Sequence, residues 1–120
     1  MNRFCAIFFS SFLLFGTAFA QDAFVVGFED LPLMNGLISD EEEMSFDTLE
    51  GRIIESHASS NTLSAKSVLD FYTNTLPQLG WSKTSHNTFI REGEELSIET
   101  AKEGGVLDVK FFLQPTSKGR

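Results

Sequence analysis

The sequence contains a single cysteine, and that residue lies near the N-terminus. Cys5 falls in an apolar stretch, so residues 21–120 contain no cysteine. A disulfide, a thiol nucleophile and a thiolate metal site are therefore excluded from this part of the chain. No cysteine stands at the end of the apolar stretch either, so lipoprotein processing has no residue to modify.

The N-terminal stretch has the layout of a signal peptide. Arg3 supplies a positive charge, an apolar run covers Phe4–Phe15, and the small residues Ala18 and Ala20 close the stretch. The run is shorter than the about 20 residues of a membrane-spanning helix, so the pattern predicts a cleaved leader at residues 1–20. An uncleaved N-terminal anchor is the alternative. The absence of cysteine from residues 21–120 favours a bacterial protein that is periplasmic or secreted. Once the leader is cleaved, we expect no stable membrane insertion.

Basic residues are scarce. The chain has 9 Lys and Arg against 17 Asp and Glu, and a formal net charge of −8. Between Asp22 and Glu55, ten acids accompany one base, Arg52. Nucleic-acid binding needs a basic face that displaces counterions from phosphates, so nucleic acid is excluded as a partner. Docking on an anionic membrane surface is disfavoured for the same reason.

Residues that could carry catalysis are also few. His57 and His86 are the only histidines, and their spacing matches no metal motif. The serines lack a nucleophile elbow, and Gly104–Gly105 is typical of a hairpin turn rather than of a phosphate loop. Adjacent carboxylates such as Glu94–Glu95 do not by themselves indicate the acid pair of a glycosidase. We therefore predict no catalytic residue, no cofactor and no metal, and interpret the chain as a protein other than an enzyme.

One stretch, Ser64–Trp81, reads clearly as an amphipathic helix. Ser64 is the N-cap candidate, Pro77 should loosen the last turn, and Gly80 fits a left-handed stop. Trp81 should then fold back over the helix end. The apolar residues at helical spacing form one stripe: Ala65, Val68, Leu69, Tyr72, Leu76 and Leu79.

Short alternating stretches surround this helix and predict strands. A hairpin precedes it, and a run of turn-separated strands follows: Met44–Thr48, Arg52–Ala58, Trp81–Thr84, Thr88–Arg91, Glu95–Thr100 and Val106–Leu113. The order predicts an α+β fold, a single two-layer domain. Its antiparallel sheet of about five to six strands, ββαββββ-like, would have one helix packed across one face. This domain would span residues 44–115, before a polar tail at 116–120.

Residues 21–43 are predicted to form an N-terminal arm and an acidic loop. In the arm, Leu31–Leu37 should either attach to the domain or dock onto a partner protein. Four consecutive acids within Ser39–Glu43 are typical of a solvated loop or of a frayed helix start. A calcium site needs oxygen ligands spaced around a tight turn, which consecutive acids do not supply by themselves. Calcium binding by this loop stays an open question at this point.

The segment Phe71-Tyr72, then Leu76-Pro77, then Gly80-Trp81 resembles a helix of small exported proteobacterial proteins. In that family, an F-Y-x-x-x-L-P-x-x-G-W helix precedes an antiparallel meander. Asp30–Leu37 and Gly51–Ile54 are similar to segments of the same proteins. The family has no assigned activity, so the resemblance implies the fold and an exported location, and it carries over no catalytic residue.

Two functional hypotheses remain. The first is a soluble binding or accessory protein of the bacterial envelope with an envelope protein as its partner, and the second is a small-molecule or lipid carrier. An exposed patch of Leu33, Met34 and Phe71 would favour the first hypothesis. A cavity between helix and sheet would favour the second, and its predicted lining is Tyr72, Trp81, Phe89 and Phe111. The oligomeric state is not predicted.

Overall fold

A computed structural model of the chain describes residues 23–116. The predicted leader at residues 1–20 and most of the predicted tail at 116–120 lie outside the described residues, so both stay predictions. Within the described part, no helix is long and apolar enough to cross a bilayer.

Six strands and one α-helix make up the described chain. They are β1 (Ile38–Asp47), β2 (Arg52–Ser60), α1 (Ala65–Thr75), β3 (Ser82–Ser85), β4 (Thr88–Arg91), β5 (Glu94–Glu103) and β6 (Val106–Pro115). The strands form one antiparallel sheet in the order β1-β2-β6-β5-β4-β3. The predicted α+β fold with a single helix on one face of the sheet is thus confirmed, while individual strand ends differ by a few residues.

Helix α1 begins where its sequence indicates, but it ends at Thr75, and a 3-10 turn continues the helical region to the predicted stop at Gly80. The Ser64 hydroxyl accepts the backbone N–H of Ser67 at 3.1 Å, and the Ser67 hydroxyl accepts the backbone N–H of Ser64 at 3.2 Å. Pro77 lies in a short 3-10 turn at Leu76–Leu79, since it has no N–H to continue α-helical bonding. Gly80 ends the turn with φ +95°, a conformation that glycine adopts without steric cost.

The sheet face beneath α1 forms the core, and strand register decides which side chains reach it. Ile54 lies opposite Leu113, and Leu113 lies opposite Leu96. Tyr72 of α1 packs its ring edge-on against Phe111 of β6, with centroids 5.3 Å apart. Strands β3 to β6 are joined in sequence as predicted. The pairing of β2 with β6 is a long-range contact that no local pattern indicates.

Residues 23–37, which we call the arm, form a second covering of the same sheet face. Four of its apolar side chains are buried in the core: Val25, Phe28, Leu31 and Leu37. A side chain at Gly27 would collide with the Glu43 carboxylate and would press against Ile54, which places this part of the arm against β1 and β2. The arm is therefore attached to the domain, which is one of the two predicted alternatives.

On the same face, the arm also reaches the strands near the other edge of the sheet. The Asp30 carboxylate lies 3.0 Å from the Arg91 guanidinium on β4. Arg91 donates to the backbone carbonyl of Leu79 at 2.9 Å, and its guanidinium lies 4.4 Å from the centroid of the Trp81 ring. One side chain thus joins the arm, the end of the helical region and the sheet. Trp81 is buried there, as the predicted fold-back requires.

The predicted acidic loop is wrong. All the acids from Asp40 to Glu43 lie within β1, which begins at Ile38 rather than at Met44. Pairing with β2 satisfies the backbone, while the carboxylates remain in water because every residue from Asp40 to Asp47 is exposed. The predicted boundary at residues 43 and 44 therefore falls inside a strand, and the arm before it belongs to the folded core.

Candidate functional site

The four aromatic residues predicted to line a pocket are core residues. Tyr72 and Phe111 are fully buried in edge-to-face contact, and Phe89 and Trp81 are buried around them. A ligand between helix and sheet would have to displace these side chains. An open groove of about 520 Å³ does lie beside α1, but mostly polar residues of β4, β5 and the turn before β4 line it, together with Leu69.

The three predicted partner contacts are half-buried. Leu33, Met34 and Phe71 all pack against the core cluster. Phe71, which lies off the main helical stripe, packs edge-on against Tyr72 with ring centroids 4.8 Å apart. It therefore broadens the buried face of α1, one of the two roles that its position allows. A role of these three residues in partner contact stays a prediction.

Strand β1, like β3 at the other edge of the sheet, contributes no buried side chain to the core. It lies at one edge of the sheet, and none of its residues is buried. Met44 is 51% exposed and Phe46 is 50% exposed, on the sheet face away from α1. Phe46 lies opposite Ile53, and Met44 lies opposite Glu55, which in turn lies opposite Phe112. We call Met44, Phe46, Ile53 and Phe112 the outer apolar patch.

Acidic side chains adjoin this patch. The register of β1 against β2 shifts between Ser39 and Glu43, a bulge that contains most of the acidic run. Beside the bulge is a shallow depression of about 300 Å³, lined by Asp40, Glu42, Glu43, Met44, Glu55 and His57. The surface here combines exposed apolar side chains with carboxylates, which suits a partner that is both basic and apolar.

His57 connects β2 to β6 on the same outer face. Its Nε2 lies 3.0 Å from the Glu55 carboxylate, and its Nδ1 lies 3.2 Å from the Asp108 carboxylate. The hydrogen bond to Glu55, aided by Asp108, raises the pKa of His57 above its ordinary value of 6.5, although partial burial opposes the shift. The imidazolium form is thus favoured, because it donates to both carboxylates.

This geometry predicts a pH-dependent contribution to stability. Because the folded pKa of His57 is raised, its contribution is fully present below the unfolded value of about 6.5. The contribution is lost as the pH rises through the folded pKa. The free energy of unfolding of the wild type, relative to His57→Gln, should therefore fall between about pH 6 and pH 8 in denaturant titrations.

Two further variants check the cause of this shift. Glu55→Gln removes the largest contribution and should lower the NMR titration midpoint of His57 more than Asp108→Asn does. Equal midpoints in the wild type and in Glu55→Gln would contradict the assignment. Lys110 lies opposite His57 and 3.4 Å from the Glu99 carboxylate, and both variants leave that ion pair in place.

In residues 23–116, no group of three or more histidine, cysteine and acidic side chains is placed to hold a metal ion. His57 is held by two carboxylates, and burial moves the pKa of the Tyr72 phenol still further above physiological pH. The prediction that the chain is not an enzyme stays a prediction.

Sequence reasoning missed this surface for an identifiable reason. The alternation in Met44-Ser45-Phe46 does indicate that Met44 and Phe46 share one face of a strand. It does not indicate which face α1 covers, so both residues could equally have been core. His57 was predicted on a strand, but its two carboxylate partners include Asp108, 51 residues away along the chain.

Comparisons of the chain with models of protein families, with curated proteins and with solved structures found no match.

Proposed function

We propose that this chain is an exported, soluble accessory protein of the bacterial envelope that acts by binding a partner protein and not by catalysis. The observation that carries the proposal is the exposure of β1 on both faces, with Met44 and Phe46 half in solvent. The leader-like residues 1–20 support the exported location.

The outer apolar patch supports binding for an energetic reason. Full burial of a methionine or phenylalanine side chain contributes about 1.5–3 kcal/mol, so a partner that covers the exposed half of both residues would gain favourable binding free energy. Exposed apolar side chains that cluster across neighbouring strands mark interaction surfaces more often than isolated ones do. The neighbouring carboxylates would supply orientation and selectivity.

The carrier hypothesis has weaker support. Its four predicted lining residues already fill the space between α1 and the sheet. The open groove beside α1 is mostly polar, which does not suit a lipid chain. We therefore favour the binding protein.

A pair of double variants tests the proposal. Met44→Ser/Phe46→Ser should abolish most partner capture from periplasmic extract while leaving the unfolding transition nearly unchanged, because both side chains lie outside the core. The readout is quantitative mass spectrometry of proteins retained by the tagged mature chain, with the wild type as reference.

Ile90→Ser/Val106→Ser is the matched control. Both residues are exposed apolar side chains on β4 and β6, outside the patch. This variant should retain the same proteins as the wild type. Identical capture by all three proteins would refute a role for the patch. Recovery of the tagged full-length chain in the cytoplasm would refute the exported location.

A further inference from the structure

Strand β1 leaves one side of its backbone unpaired within the described chain. It lies at the edge of the sheet and pairs with β2 alone. After the bulge, Glu43–Asp47 runs in regular register with Arg52–Ser56. Alternate N–H and C=O groups of a regular edge strand point away from its neighbour, so this segment is a template for a further strand.

The side chains of this segment alternate in chemistry as well as in direction. Ser45 lies opposite the buried Ile54, which places Glu43, Ser45 and Asp47 on the face that α1 covers elsewhere. Met44 and Phe46 lie on the outer face. One face of the segment is therefore acidic and polar, and the other is apolar.

We propose that β1 binds an extended segment of the partner protein as a seventh strand along Glu43–Asp47, and that basic and apolar residues alternate in this segment. Main-chain hydrogen bonds to the free edge would hold it, as in other cases of strand addition. Its basic side chains would lie beside Glu43 and Asp47, and its apolar side chains would extend the outer apolar patch. The inference rests on the proposed function and specifies the partner's chemistry.

Charge argues against a second copy of the chain as the occupant. Two β1 strands in antiparallel contact would place the acidic runs of both copies next to each other, and like charges on adjacent strands are destabilising. Acids and bulges also protect edge strands from unwanted pairing. Protection alone does not account for Met44 and Phe46, because exposed apolar residues on an edge promote association instead.

The first test uses blocked synthetic peptides and the wild-type mature chain. A short peptide in which lysine and valine alternate should bind, and added salt should weaken its binding because screening reduces charge attraction. The same peptide with its alternate amides N-methylated should bind at least about tenfold more weakly, since one edge can no longer donate hydrogen bonds. A glutamate–valine peptide should not bind.

The second test exchanges the charges. Glu43→Lys/Asp47→Lys should no longer bind the lysine–valine peptide and should bind the glutamate–valine peptide instead. Its unfolding transition must first show that the variant is folded. Glu99→Lys/Glu103→Lys changes the net charge equally on β5 and should keep the wild-type preference. This reciprocal exchange separates a local contact from a general effect of net charge.

Several outcomes would overturn the inference. Equal binding of the N-methylated peptide would show charge attraction without strand pairing. If neither the lysine–valine nor the glutamate–valine peptide binds, the acids of β1 only protect the edge from unwanted pairing. Self-association of the wild type through β1, measured by sedimentation and removed by the charge exchange, would make a second copy the occupant. None of these results determines whether the Met44→Ser/Phe46→Ser variant loses captured proteins. The proposed function and the strand-addition proposal can therefore be refuted independently.

Discussion

Phe111→Ala should lower the free energy of unfolding by about 3–5 kcal/mol. Phe111 is fully buried on β6, where its ring contacts Tyr72 at a centroid distance of 5.3 Å. Truncation would remove the contact between α1 and the middle of the sheet and leave a cavity. A domain of this size has a total stability of about 5–15 kcal/mol, so the loss would be a large part of it.

The measurement is denaturant unfolding followed by the fluorescence of Trp81, the only tryptophan in the chain. Phe112→Ala is the matched control, because it makes the same truncation one residue along the strand on the half-buried outer face. The control should cost about 1 kcal/mol. Equal losses for the two variants would show that the assignment of the sheet faces is wrong.

Tyr72→Phe should lower the free energy of unfolding by about 1–3 kcal/mol, although it removes a single oxygen atom. The Tyr72 hydroxyl donates to the carbonyl of Pro32 at 2.7 Å and accepts the backbone N–H of Met34 at 3.1 Å. Phenylalanine would leave both backbone groups of the arm without this partner. Amide exchange at Met34 should accelerate in the variant, together with neighbouring amides of the arm.

Thr73→Val is the control for this substitution. It also replaces a hydroxyl, one residue along α1, where the structure describes no hydrogen bond of that hydroxyl, and it should leave the arm's amide exchange unchanged. If Tyr72→Phe leaves the exchange at Met34 at the wild-type rate, the two hydrogen bonds do not hold the arm in solution.

These two variants bear on function because they test which surfaces are committed to the core. If the arm is held by Tyr72 and by buried residues such as Leu31, it is not free to dock onto a partner. The proposed binding surface would then lie elsewhere on the molecule. Strand β1 contributes no buried side chain to the core, so its exposed side chains and the outer apolar patch remain available.

Much of the local structure could be predicted from single residues. Ser64 caps the start of the helix, and Gly80 ends the 3-10 turn that follows it. Both roles depend on backbone chemistry within a few residues, so the local sequence is enough to predict them. The strands after Trp81 follow from alternation and from turn residues such as Gly93. The acidic run was misread since a row of carboxylates is typical of loops, and only pairing with β2 makes it a strand.

The candidate surface was not predictable in the same way. Alternation shows that Met44 and Phe46 share a face, but a strand can present either face to a core. Phe71 and Tyr72 were both candidates for function, and packing assigned both to the core. The contact of His57 with Asp108 depends on how β2 and β6 are aligned, and these two residues lie 51 positions apart in the sequence.

The sequence by itself determined the helix and its first residue, the stop of the helical region at Gly80, the order of the elements and the acidic, cysteine-poor character of the chain. Those properties follow from backbone preferences and composition, which act over a few residues. Only the tertiary structure decided that β2 pairs with β6, that the arm shares the inner face with α1, and that β1 remains at an edge. Each of these features depends on which apolar surfaces, distant in sequence, are buried against one another. That burial depends on contacts made throughout the chain.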